Sequence, residues 1–200
     1  MKILNLGCGG TRPAGDQWVN LDDLHSQLPE GGHERKALST EGNYCQHVIE
    51  PDGELPFAPN RFDGVLASHF FEHFDCQEAV KIMRQCRAVM KTGAVIIVSV
   101  PNASYFRAVY DRDTNKNWPE LFGVNDPPNP IPTFFEAALW FDQHKGILTA
   151  DALWCYLVRA GFKPADIHEG TGSLNREATD LIVPHLNRQS FSLIMSAIKS

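Results

Sequence analysis

Two hundred residues suit a single domain with a core of its own, and 43% hydrophobic with 21% charged residues is a globular rather than a disordered balance. A formal net charge of −6 argues against a large nucleic-acid interface, which normally wants a basic face. The longest apolar run, Ala94 to Val100, is too short to span a bilayer, and glycines and Arg12 interrupt the first apolar stretch where a signal peptide would continue. Five cysteines without a C-x-x-C pair argue against a disulfide framework or a cysteine zinc site. The expectation is a cytoplasmic protein with reduced thiols, no nucleic-acid partner and no membrane segment.

Taken in order, Ile3-Leu4-Asn5-Leu6 reads as a short buried strand that runs into the turn Gly7-Cys8-Gly9-Gly10. Glycines let the backbone bend sharply there and are expected to leave bare amides facing a ligand. Thr11 to Gln17 holds too much Pro and Gly for a long helix, so a loop is expected where a first crossover helix would stand. Trp18 to Leu21 is a second strand ending at Asp22-Asp23. Residues 24 to 44 are polar and are read as a short helix or irregular structure. Tyr44 to Ile49 is a third strand, and Phe62 to Ser68 a fourth.

A helix is expected from Asp75, which forms a capping-box pair with Glu78. Ala79, Ile82, Met83, Cys86, Val89 and Met90 recur at helical spacing, and Gly93 stops the helix. Ala94 to Val100 is a β-branched central strand. Residues 102 to 148, rich in Pro, Asn and aromatics, break the rhythm and read as an insertion. Thr149 caps a helix to Ala160. Ala165 to His168 is a sixth strand and Ser190 to Ile198 a last one. Alternating strands and helices predict an α/β fold: a Rossmann-like, mainly parallel seven-stranded sheet, an antiparallel last strand at its edge, and helices on both faces. Residues 1–200 are expected to form one domain, with 102–148 as an inserted region that acts as a lid and supplies a pocket.

Two features fall at the carboxyl ends of successive strands: the glycine turn and Asp22, whose carboxylate suits the two hydroxyls of a ribose. The dinucleotide pattern G-x-G-x-x-G fails, because Arg12 stands where the third glycine belongs and the acid comes too soon. No Gly-Lys-Ser/Thr cradles a triphosphate. The loop therefore suits an adenosine ligand without a pyrophosphate.

With these motifs the chain resembles the class I S-adenosylmethionine-dependent methyltransferases. Asn5-Leu6-Gly7-Cys8-Gly9-Gly10 resembles their first motif, and Trp18-Val19-Asn20-Leu21-Asp22 their second. Leu55-Pro56-Phe57, Phe62-Asp63-Gly64-Val65, Ser68-His69 and Glu72-His73 resemble their fourth strand and the segment after it. Met90-Lys91-Thr92-Gly93-Ala94 resembles the segment before their fifth strand, and Ala160-Gly161-Phe162 the end of the helix before the sixth. The loop in place of the first helix resembles a subgroup linked to cell-surface polysaccharide genes.

The resemblance implies S-adenosylmethionine as cofactor, held by Asn5, Gly7, Cys8, Gly9, Asp22, Asp52, Ser68 and His69. Asn5 departs from the acidic residue common there, and either Glu50 or Asp52 serves as the acid near the adenine. The implied reaction is methyl transfer to an oxygen or nitrogen of a small molecule or glycan, and the alternative is a cofactor-binding partner protein without catalysis. His69, His73 and His144 are the candidate catalytic groups, needed as a base if the acceptor is a hydroxyl or a protonated amine. Cys8 is read as a packing residue, since no base neighbours it in sequence. His69-Phe70-Phe71-Glu72-His73 also matches H-x-x-E-H, an inverted zinc-protease motif. It straddles a strand end where that motif needs a continuous helix, so no metal is expected.

Overall fold

The computed structural model describes residues 1–9, 12–22, 40–41, 43–112, 144–171, 175–186 and 191–200. Strands β1 (Ile3–Leu6), β2 (Trp18–Asp22), β3 (Thr40–Glu41), β4 (Tyr44–Gln46), β5 (Phe62–Ser68), β6 (Met90–Pro101), β7 (Ile167–Glu169) and β8 (Ser192–Ile198) form one sheet in the order β3-β4-β2-β1-β5-β6-β8-β7. From β4 through β6 every pairing is parallel. The seven expected strands are present, and the two-residue β3 adds an eighth, antiparallel to β4.

Strand β8 lies between β6 and β7, antiparallel to both, rather than at the edge. Its composition explains this. Leu193, Met195 and Ala197 are buried in one core, while Ile194 and Ile198 pack against the other. A strand apolar on both sides belongs inside a sheet.

Helix α1 (Cys76–Val89) comes after β5. Asp75 caps it, accepting from the Gln77 and Glu78 amides at 2.8 and 2.9 Å, while Glu78 Oε2 accepts from the Asp75 amide at 2.9 Å. Ala79, Ile82, Met83, Cys86 and Val89 turn inward as their spacing requires. They share a core with Leu4, Leu6, Val65, Ala67 and with Leu153 and Leu157 of α3 (Ala150–Arg159), which Thr149 caps.

Between β1 and β2 the described residues hold no helix, as the Pro and Gly content predicts. Right-handed crossovers running to opposite sides of β1 lie on opposite faces, so this leaves the face away from α1 uncovered. Helix α4 (Arg176–Ile182), from the late connection between β7 and β8, covers it instead. Ala178 and Ile182 pack with Ile3, Trp18, Leu66, Val95 and Ile97. The approach is close: a Cβ on Gly64 of β5 would fall 2.9 Å from Ile3 Cδ1 and 3.0 Å from Ile182 Cδ1.

The chain order reverses at β1, with β2 and β4 on one side and β5 and β6 on the other. In open parallel sheets that crevice, at the carboxyl ends, is where ligands bind. Helix α2 (Ala103–Arg112) leaves β6 at this edge. The two ends of the inserted region are pinned together: Asn102 bridges Leu148, and the Ala103 amide donates to the Leu148 carbonyl at 2.9 Å. Most of the inserted region, residues 113–143, and the expected structure at 24–39 lie outside the described residues.

Candidate active site

The glycine turn is braced rather than bare. The Gly7 and Cys8 amides both donate to the Leu21 carbonyl, at 2.9 and 3.2 Å, and the Gly9 amide donates to the Asp22 carboxylate. The end of β2 thus occupies the donors that sequence reasoning left for a ligand. Gly7 and Gly9 have φ of +64° and +49°, the left-handed region that favours glycine. At Gly9 a Cβ would point into open space, with no atom within 4 Å. A ligand can approach this face of the loop, with the Asp22 carboxylate alongside.

Arg12 closes the loop from outside. Its Nε donates to the Gly9 carbonyl at 3.2 Å, and its guanidinium lies 4.0 Å from the Tyr44 ring centre. In the sequence Arg12 speaks only against a signal peptide and against a dinucleotide pattern. Asn5 is buried beneath the turn and donates to Asn20 Oδ1 at 3.0 Å; Asn20 in turn donates to the Pro13 carbonyl at 3.1 Å. This pair fixes the helix-free crossover to the sheet. Cys8 is buried, and its thiol is pushed up to about 11 by burial and then by the Asp22 charge, against the opposing pull of Arg12. Such a thiol stays protonated near neutrality and suits packing.

The second wall comes from the end of β5. Ser68 ends the strand and His69 turns the chain at φ +51°, its amide donating to the Ser99 carbonyl at 2.8 Å. The turn throws the Phe70 ring onto Gly7, joining the two strand ends. His69 Nε2 lies 2.9 Å from Ser192 Oγ, and Nδ1 lies 3.2 Å from Glu72 Oε1, though not in hydrogen-bond alignment. Phe191 packs edge-on to His69 with ring centres 6.0 Å apart, and Phe106 of α2 lies 5.7 Å from Phe191.

A left-handed histidine carries about 1–2 kcal/mol of backbone cost that alanine shares and glycine escapes. We expect His69→Gly to be about 1 kcal/mol more stable than His69→Ala in urea unfolding. Equal stability would mean that this residue is not left-handed.

His73 and His144 meet as well, with ring centres 5.0 Å apart. The three candidate catalytic histidines are thus gathered around one turn. Asp52 stands apart, exposed and 2.5 Å from Lys81 Nζ of α1, while Glu50 lies in the same turn. A cavity of about 690 Å³ at the amino-terminal ends of the strands, between Lys2, Trp18, Tyr44, Phe57 and Arg61, holds none of the expected site residues. Phe70, Phe191 and Ser192 escaped sequence reasoning. Only a burial pattern marks them, because their partners lie far off in the chain.

Residues 4–98 match the family model described as a methyltransferase domain. That match spans the glycine turn, Asp22 and the His69 turn together. Over these residues the chain is similar to a methyltransferase domain, and S-adenosylmethionine is the group that the resemblance implies. The site's chemistry fits that group: a carboxylate at the second strand end and a loop face that a Cβ at Gly9 would fill.

Solved methyltransferases share the fold. One is a SAM-dependent methyltransferase from Archaeoglobus fulgidus, 18% identical over 99% of this chain and 86% of that one, with a TM-score of 0.54. Another, from Mesorhizobium loti, is 16% identical over 98% and 90%, with a TM-score of 0.51. A third, a possible histamine N-methyltransferase from Thermotoga maritima, is 9% identical over 100% and 82%, with a TM-score of 0.55. Among curated proteins none matches the chain. No helix among the described residues of the chain is long and apolar enough to cross a membrane.

Proposed function

We propose that the protein is an S-adenosylmethionine-dependent methyltransferase that acts on an oxygen or nitrogen of a small molecule or glycan, with the acceptor held between the His69 turn and residues 102–148. The observation that carries this reading is His69. It stands at the end of β5, beside the glycine loop through Phe70, with its imidazole poised between Glu72 and Ser192 against an aromatic wall. An apolar wall with a few placed polar groups is what a small acceptor needs. When bound, the cofactor supplies an electrophilic methyl on its sulfonium.

The chain's own residues do the rest. Asp22 takes the ribose hydroxyls and Gly9 admits the adenosine side. Asn5 and Asn20 hold the loop rigid. His69 Nε2, now facing Ser192 Oγ, hydrogen-bonds the acceptor and aligns it with the methyl. Placing and aligning the acceptor supplies most of the rate. Residues 102–148 start at the same sheet edge with their ends pinned, and we assign them the role of lid. The net charge of −6 supports a small acceptor over a nucleic acid. The helix-free crossover, the trait resembling the polysaccharide-linked subgroup, supports a sugar.

The test is a transfer screen with labelled cofactor against sugars, nucleotides, small phenols, RNA and protein. We expect label on a sugar or another small acceptor. His69→Gln should lower its use at least tenfold, while S-adenosylhomocysteine affinity stays within about twofold. Label only on RNA or protein would overturn the reading.

A further inference from the structure

The turn after β5 carries a buried carboxyl group that the cofactor site does not use. The Glu72 side chain is fully buried, and among the described residues neither carboxylate oxygen has a hydrogen-bond partner. A buried carboxylate is normally paired, hydrogen-bonded or bound to a metal. The nearest described cationic candidate, His69, sits 3.2 Å from Oε1 but is not aligned with it.

Two more donors converge on this group. His73 is the next residue of the same turn, and His144 arrives from the far end of the inserted region. One ligand atom each from Glu72, His73 and His144 lie within 4.8 Å of one another. Donors around a single ion at about 2.1 Å can stand as much as about 4.2 Å apart, so small side-chain rotations close the set. The backbone already holds the segments in place: the Lys145 and Gly146 amides donate to the Glu72 carbonyl at 2.7 and 3.2 Å. Lys145 Nζ also grips Glu78 Oε2 at 2.8 Å.

We propose that Glu72, His73 and His144 bind one divalent first-row transition-metal ion, with zinc the natural probe. Two imidazoles and one carboxylate suit zinc or its neighbours and disfavour magnesium and calcium, which want oxygen ligands. Three protein ligands leave at least one coordination position open, as in sites that also hold water or a substrate oxygen. The ion neutralises Glu72 and ties the return of the inserted region to the β5 turn. In the H-x-x-E-H motif the ligands stand on one continuous helix, which is why no metal is expected from that motif. Here the first His of that motif is not needed, and the third ligand comes from position 144.

The test uses the full chain stripped with chelator and titrated with zinc, and with cobalt for its visible spectrum. We expect one zinc per chain at micromolar or tighter affinity, unaffected by millimolar magnesium. The cobalt absorption should have an intensity typical of four or five ligands. His73→Ala and His144→Ala should each weaken binding at least tenfold. His185→Ala, whose ring packs on Trp18 in another part of the fold, should not. S-adenosylhomocysteine affinity, measured on every variant, certifies the fold. The proposal is overturned if the stripped chain takes up no stoichiometric zinc, or if folded His73→Ala and His144→Ala variants bind it as tightly as the parent.

Discussion

Gly7→Ala should unfold at markedly lower denaturant than the parent and should lose the cofactor with the fold. Two costs add. Alanine at φ +64° is in the left-handed region, worth about 1–2 kcal/mol. Its Cβ would also overlap the Phe70 ring, only 2.7 Å from Cγ, and overpacking of this kind costs about 1–3 kcal/mol. Phe70→Ala in the same chain should return the second cost and leave the first, so a double-mutant cycle should show coupling of about 1 kcal/mol or more. Gly9→Ala is the contrast. Its Cβ meets nothing, so the fold should lose only the left-handed cost while the ligand-facing side of the loop is blocked. If Gly7→Ala melts with the parent, the packing of Phe70 on the loop is wrong.

Asp22→Ala is the second large effect, and it falls on binding. The carboxylate braces the Gly9 amide and stands at the end of β2, where we propose that a ribose binds. A charge-assisted hydrogen bond is worth about 1.5–3 kcal/mol, or one to two decades in Kd. Asp22→Asn keeps one acceptor and should fall between alanine and the parent. Both variants should remain folded, because Asp22 is only half-buried and the Gly7 and Cys8 amides keep their own acceptor on Leu21. Removing the negative charge also relieves one of the two main causes that keep the Cys8 thiol high. Its pKa should drop in Asp22→Ala, and thiol labelling against pH measures that.

Much of this was legible in the chain because the signals are local. The strand-to-glycine switch at Leu6-Gly7, the acid at the end of Trp18 to Asp22, and the capping box at Asp75 each need only neighbouring residues. What was missed depends on residues far apart. Strand β6 starts at Met90, not Ala94, because Met90 pairs with Phe62, while Lys91-Thr92-Gly93 reads locally as a helix stop. Helix α4 is only seven residues long, too short for periodicity to declare itself, although Asn175 caps it in the usual way. The same holds for the site. Ser192 and Phe191 meet His69 from the far end of the chain, and His144 meets Glu72 across the whole inserted region. The loop amides are the instructive case. Glycines promise exposed donors, yet the neighbouring strand end takes three of them, and the loop's rigidity comes from that.

The central claim is that an adenosine ligand without a pyrophosphate binds at the glycine loop beside Asp22. Calorimetric titration of S-adenosylhomocysteine and of NAD into the parent and Asp22→Ala tests it most directly. One S-adenosylhomocysteine should bind per chain, one to two decades more weakly in Asp22→Ala, with no heat from NAD beyond dilution. NAD binding without S-adenosylhomocysteine binding, or a folded Asp22→Ala that binds S-adenosylhomocysteine like the parent, would contradict it.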